Sequence, residues 1–151
     1  YPAMSAAQGS VIQANTITVM DPAHRVQVLE NGTLILHDEP WGGRFQPSID
    51  QLASNLARTH KSRCGMIVFS GMGDDGSASC RVIKQQGGEV WVQSPEHCVV
   101  DSMPAAALAT GCVGLTAEPA DLAQALNQRM KTKAQTIEEQ IAHESTATHR
   151  I

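Results

Sequence analysis

The sequence predicts an α/β protein built on a doubly wound, mostly parallel sheet that carries one antiparallel β-hairpin at about residues 15–37. Three observations lead there. From residue 64 onward, strand-like runs alternate with helical periodicities, and that alternation demands crossover connections and parallel pairing. Upstream, Asn31-Gly32 separates two runs of alternating polar and apolar residues. That is the strongest short-range hairpin signal, because both central residues of a type I′ turn need positive φ. Finally, "CGMIVF" at 64–69 is apolar throughout, as a buried strand can be.

The opening "YPAMSAAQGS" carries no helix or strand signal and reads like a chain entered partway. "NTITVMD" (15–21) and "RVQVLE" (25–30) alternate with period two, and "TLILH" (33–37) follows the Asn-Gly pair, so 15–37 is expected to form a small antiparallel unit. "DEPWGGRFQP" (38–47) is a Pro- and Gly-rich loop. From Pro47 the period changes: Ile49, Leu52, Ala53, Leu56 and Ala57 recur at three and four, which predicts an amphipathic helix to about His60. A strand is expected over 64–70 and a helix over 77–86, stopped by Gly87-Gly88. "EVWVQ" (89–93) reads as the next strand. "MPAAALATG" (103–111) reads as a short helix with Pro104 in its first turn and Gly111 past its end. A strand over 112–116 and a helix over 118–130 complete the alternation, and the tail 131–151 is expected to be a polar helical extension that frays into disorder.

With 151 residues, 42 % of them hydrophobic, the chain can bury one domain-sized core. Its net charge of −4 argues against nucleic-acid binding, which draws on a basic patch. No run reaches the apolar length that spans a bilayer, and no secretory signal pattern opens the chain. Cys64, Cys80, Cys98 and Cys112 form no C-x-x-C pair, so they read as reduced thiols of a cytoplasmic protein.

The segment that asks for a chemical explanation is "SGMGDDG" (70–76), directly after the apolar strand. As plain structure it is a strand-to-helix turn, with glycines at positive φ and an aspartate taking up free N–H groups. A phosphate cradle would lack its lysine and meet two repelling carboxylates. A divalent-metal site on Asp74 and Asp75 lacks a third carboxylate at a suggestive spacing. A nucleophile elbow on Ser70 would need glycine where Val68 stands. The loop does lie at the carboxyl end of a strand, where open α/β sheets bind ligands. A carboxylate held near a helix N-terminus there stays ionised and can orient an imidazolium. None of His24, His37, His60, His97, His143 and His149 completes a triad with it in the sequence.

"IVFSGMGDDGSA", followed by "QQGGEVWVQSPEHCVVDSMPAAALATGCV", resembles the C-terminal part of the catalytic domain of the CheB-type chemotaxis receptor methylesterases. The family pattern T-G-M-G-x-D-G stands here as Ser70 to Gly76. Its glycine pair and glutamine are Gly87, Gly88 and Gln93, its C-V-V and M-P are Cys98 to Val100 and Met103-Pro104, and Ala107, Gly111 and Val113 follow in order. "QPSIDQL" resembles H-R-P-S-V-D-x-L, with Phe45-Gln46 where the family has His-Arg, and Ser70 replaces the usual threonine. The match runs over about residues 6–130, which the resemblance marks as the catalytic part (1–130), with 131–151 as a separate tail.

The resemblance implies hydrolysis of glutamate γ-methyl esters on chemoreceptor cytoplasmic helices, with glutamine deamidation as a related activity, by a Ser-His-Asp triad without metal or cofactor. Asp75 takes the position of the family aspartate. Gly71, Met72, Gly73 and Met103 take positions lining the active site. The family's serine turn and histidine belong to a segment expected upstream of Tyr1, so the N-terminal part of the domain is expected to be missing and the chain alone inactive. A receiver domain is a further expected partner and the cytoplasm the expected location. Two alternatives stand beside this reading: a non-catalytic methylesterase-like docking module in a chemosensory or pilus-motility system, and a metal- or phosphate-responsive module using Asp74 and Asp75.

Overall fold

Two three-residue strands open the chain in the computed structural model, which describes residues 1–148. They are β1 (Ala3–Ser5) and β2 (Ile17–Val19), paired in parallel with Ala3 opposite Ile17. The antiparallel hairpin is confined to β3 (Arg25–Val28) and β4 (Leu34–His37). Both findings correct the expectation of one antiparallel unit over 15–37. The run at 15–21 pairs with the N-terminal segment, whose three residues are too few for alternation to show.

The hairpin turn also differs from the expected type I′. Gly32 has φ +83°, but Asn31 is not among the positive-φ residues. The Gly32 N–H donates to Leu29 O (2.9 Å) and the Leu29 N–H to Thr33 O (2.9 Å). This is a type I turn followed by a left-handed glycine, the three-residue alternative to the two-residue loop. Asn31 contributes its side chain instead, accepting the Thr33 N–H at 3.0 Å.

Helix α1 (Ile49–His60) begins at Ser48, whose hydroxyl accepts the Gln51 N–H. A single 3₁₀ turn (Lys61–Arg63) leads into β5 (Gly65–Val68), and α2 (Ser77–Gln85) crosses over to β6 (Glu89–Gln93), which pairs with β5 in parallel. After a second 3₁₀ turn at Pro95–His97 come α3 (Ser102–Ala109) and β7 (Leu115–Ala117), giving a sheet in the order β5-β6-β7. The α/β class and the parallel crossover are as the alternation predicts.

Two apolar clusters hold these elements, and α1 serves both. Its Ala53 and Ala57 join Val68, Cys80, Ile83, Val90, Val92 and Ala107 around the parallel sheet. Its Leu52 and Leu56 pack instead on Val26, Val28, Leu34 and Trp41 of the hairpin side. The helix is also tied to the hairpin backbone. Asn55 accepts the Val28 N–H (2.6 Å) and donates to Val28 O (3.1 Å), so the β3 edge meets a partner that a ladder strand would otherwise supply.

The end of α2 follows the glycine pair. The Gly88 N–H bonds to Ile83 O and the Gly87 N–H to Lys84 O, with Gly87 at φ +83°, which is a Schellman stop. A Cβ on Gly88 would stand 2.4 Å from Cys64 O and 2.7 Å from Ile83 Cγ2. The obstacle is backbone, which cannot swing aside. Gly88→Ala is therefore expected to cost about 1–3 kcal/mol through overpacking, measured by urea unfolding of the 151-residue chain. An unchanged midpoint would refute this close approach.

The chain divides into two compact units, 1–116 and 117–151. The second is built on helix α4 (Pro119–Thr148). It has no break at residue 130. Its Ala, Gln, Glu and Lys residues are good helix formers, and no Gly or Pro follows Pro119. The polar tail expected from residue 131 is helical as far as Thr148, and residues 149–151, His149 included, lie outside the described residues.

Candidate active site

The site is the loop that leaves the carboxyl end of β5 and enters α2, residues 69–76. Its course depends on glycine at two kinds of position. Gly73 and Gly76 sit at φ +92° and +97°, which L side chains rarely adopt. Gly71 lets the Met103 side chain pack directly against it, and a Cβ there would make the Met103 thioether swing aside.

The loop is clamped to the segment before α3. The Gly71 N–H donates to Val100 O (2.9 Å) and the Met103 N–H to Gly71 O (3.1 Å). The Ser102 hydroxyl also donates to Gly71 O and accepts the Gly73 N–H (3.0 Å). Ser70 is held from both sides: its N–H donates to Gln93 Oε1 (2.9 Å), and its hydroxyl donates to Val100 O and accepts the Val100 N–H, each at 3.0 Å. Gln93 in turn donates to His97 O. So the glycines, Gln93, Val100 and Met103, scattered in the sequence, form one hydrogen-bonded rim.

Asp75 is 5 % exposed. Its Oδ2 accepts the Ile49 N–H at 2.7 Å and its Oδ1 accepts the Asp50 N–H at 3.0 Å. These are the first two amides of α1, which have no intrahelical acceptor. The carboxylate thus sits at the positive end of the α1 dipole. An ionised carboxylate has about four lone-pair sites, so two remain for another donor. The sequence placed Asp75 at the start of its own helix. The structure instead has it cap the neighbouring one.

Asp74 differs in every respect. It is exposed, and among the described residues its one charged partner is Arg44, at 3.4 Å. Such an exposed pair contributes little to stability. Arg44 also stacks over the Phe45 ring, 4.9 Å from its centroid. Phe45 lies 3.2 Å from where a Cβ on Gly73 would stand, so the Phe45-Gln46 departure from the family pattern lies against the loop itself. Met72 is 80 % exposed and Val99 98 %, while Met103 is half-buried under Gly71. Of the five expected site residues, Asp75, Gly71, Gly73 and Met103 are packed parts of this rim, and Met72 projects from it.

No histidine among the described residues bonds Asp75. His37 pairs with Gln27, and His60 with Thr59. Nor do three His, Cys, Asp or Glu side chains converge as a metal would require, among the described residues. Ser79 is fully buried and donates to Gly76 O. Burial pushes the Cys80 thiol up from its ordinary range, so it stays protonated and unreactive. Sequence reasoning missed Asp50, whose Oδ1 accepts the Ser79 N–H at 2.7 Å, and it missed the cap at Ser48. A signal for the cap existed, because Ser48-x-x-Gln51 is a capping-box spacing. Asp50 carried none.

Residues 1–126 match the family model described as CheB methylesterase. A protein-glutamate methylesterase/protein-glutamine glutaminase 1 of Myxococcus xanthus is 30 % identical over 129 residues, 83 % of this chain and 37 % of that protein. A protein-glutamate methylesterase/protein-glutamine glutaminase of Clostridium acetobutylicum is 34 % identical over 112 residues, 73 % of this chain and 32 % of that one. The crystal structure of the Thermotoga maritima CheB methylesterase catalytic domain superposes with a TM-score of 0.69 at 22 % identity, covering 76 % of this chain and 62 % of the other. At that identity the likeness shows the fold alone. The chain spans about a third of the length of these curated relatives.

Proposed function

Since the chain belongs to the CheB methylesterase family, we propose that it is the aspartate-bearing part of a chemosensory protein-glutamate methylesterase, with residues 1–130 as the catalytic part. The substrate is a glutamate γ-methyl ester on the cytoplasmic helices of a chemoreceptor. The matching glutamine is a second substrate, in keeping with the glutaminase named for its relatives. The protein acts in the cytoplasm, where a receiver domain is a further partner. No helix among the described residues is long and apolar enough to cross a membrane.

In this reading an upstream segment supplies a serine and a histidine. The serine oxygen attacks the ester carbonyl while the histidine takes its proton. The tetrahedral intermediate expels methanol, which receives that proton, and water then hydrolyses the acyl-enzyme by the same route. Asp75 accepts the other imidazole N–H, holds the tautomer and stabilises the imidazolium. The observation that carries the proposal is Asp75 itself: a 5 % exposed carboxylate, fixed by two backbone N–H groups, at the carboxyl end of a parallel strand. Gly71, Gly73 and Met103 fix the loop that carries it, and the exposed Met72 lines the approach of the receptor helix.

The same two capping bonds give Asp75 a structural purpose, which favours a second reading, a non-catalytic docking module. Methanol release from a methylated receptor fragment by the upstream-extended protein separates the two. Turnover supports the esterase. Receptor binding without turnover supports the docking module.

Acyl transfer by such a triad uses an oxyanion hole and a base rather than a Lewis acid. Dialysis of the upstream-extended protein against a chelator is therefore expected to leave methanol release unchanged. A loss reversed by adding back a divalent cation would establish instead a metal site at Asp74 and Asp75.

A further inference from the structure

We infer that Asp50 is a positioning residue for Asp75, acting through a reciprocal pair of helix caps between α1 and α2. The first two amides of α1 donate to the Asp75 carboxylate, at 2.7 and 3.0 Å, and the third donates to Ser48. Asp75 therefore closes the start of α1 from the loop before α2. In the other direction α2 has no capping side chain of its own, since its N-cap is Gly76 in the left-handed conformation. Its third amide, Ser79 N–H, donates to Asp50 Oδ1 at 2.7 Å, from the first turn of α1.

Each helix thus lends the other an aspartate, and each bond spans 25 to 29 residues of chain. The two starts are also pressed together, because a Cβ on Gly76 would stand 3.2 Å from Ile49 Cγ2. Asp75 lies one residue before Gly76. Fixing Ser79 fixes the first turn of α2, and that turn sets where the Asp75 carboxylate points. The remaining lone pairs of Asp75 are then aimed before any histidine arrives, which is the preorganisation that a triad carboxylate needs.

The catalytic consequence rests on the reading of Asp75 given above, whereas the geometric coupling does not. The test compares Asp50→Ala with Asp50→Asn. Both lose the charge, but asparagine keeps an oxygen for the Ser79 N–H. Amide hydrogen exchange in the 151-residue chain reads the coupling directly. In Asp50→Ala the Ser79 and Ile49 amides are expected to exchange about tenfold faster relative to those of β6, the scale of one lost hydrogen bond, while Asp50→Asn stays near wild type. Ile49 is decisive, because its amide bonds to Asp75 and not to Asp50.

In the upstream-extended enzyme, Asp50→Ala is expected to lower kcat about tenfold with KM unchanged, and Asp50→Asn to restore it. Unchanged Ile49 exchange in Asp50→Ala, equal behaviour of the two variants, or uniform acceleration of every amide would each overturn the inference. If Asp75→Asn left kcat intact, the triad reading would fall by itself, and the exchange measurement would still judge the coupling.

Discussion

Asp75→Asn in the upstream-extended enzyme is expected to lower kcat for methyl-ester hydrolysis by up to about 10⁴, and Asp74→Asn to leave it nearly unchanged. The two aspartates are adjacent in sequence and opposite in environment. Asp75 is buried and receives two N–H groups from α1, while Asp74 is exposed and meets the likewise exposed Arg44. An asparagine at 75 can present only one oxygen. In either orientation one α1 amide loses its acceptor, and an NH₂ turned toward the imidazole also forces the wrong tautomer. The lost cap costs stability on the scale of about 1 kcal/mol, far short of four orders of magnitude in rate. Thermal unfolding of the variant beside its kcat separates the two effects. Equal losses from both substitutions would point to a paired-carboxylate site instead.

The second large effect concerns the 151-residue chain by itself. It is expected to release no methanol and to resist labelling by an organophosphonate serine probe, whereas the upstream-extended form does both. A nucleophile needs a neighbouring base to take its proton. Ser70 has both hydroxyl functions engaged with Val100, and Ser79 is buried and bonded to Gly76. Among the described residues no histidine bonds either serine.

The isolated chain also exposes strand edge. β5 lies at one side of its three-stranded sheet and runs into Phe69, which is 47 % exposed. Unpaired edges of this kind recruit other strands. The chain alone is therefore expected to self-associate, and light scattering behind a sizing column reads this directly. A monomer with near-normal activity would refute the account, and Ser77 would then become the leading nucleophile.

The residues from 64 to 111 determine their own local structure, because the signals there are short-range. An apolar run makes β5, glycines at positive φ make the loop, and Gly87-Gly88 close α2 through bonds to Ile83 and Lys84 only a few residues away. The order of motifs along the chain was enough to indicate the family. Longer-range pairing was not legible. The strand at Ile17–Val19 joins the first residues of the chain rather than the hairpin, and the Asn-Gly pair forms a bulged turn rather than a type I′ turn. A three-residue strand has no period to read, and Asn-Gly is compatible with both turns.

The site divides in the same way. From the sequence alone, the order of residues in the motif points to Asp75 rather than Asp74 as the family aspartate. Only the tertiary structure decided what holds Asp75. Its partners lie 25 and 26 residues upstream at the start of α1, and the return bond from Ser79 to Asp50 spans 29. Backbone amides look alike in any sequence, so no residue pattern announces which of them a distant carboxylate will meet. That is settled when α1 and α2 pack with their N-termini side by side, each start leaving amides that the helix itself cannot satisfy.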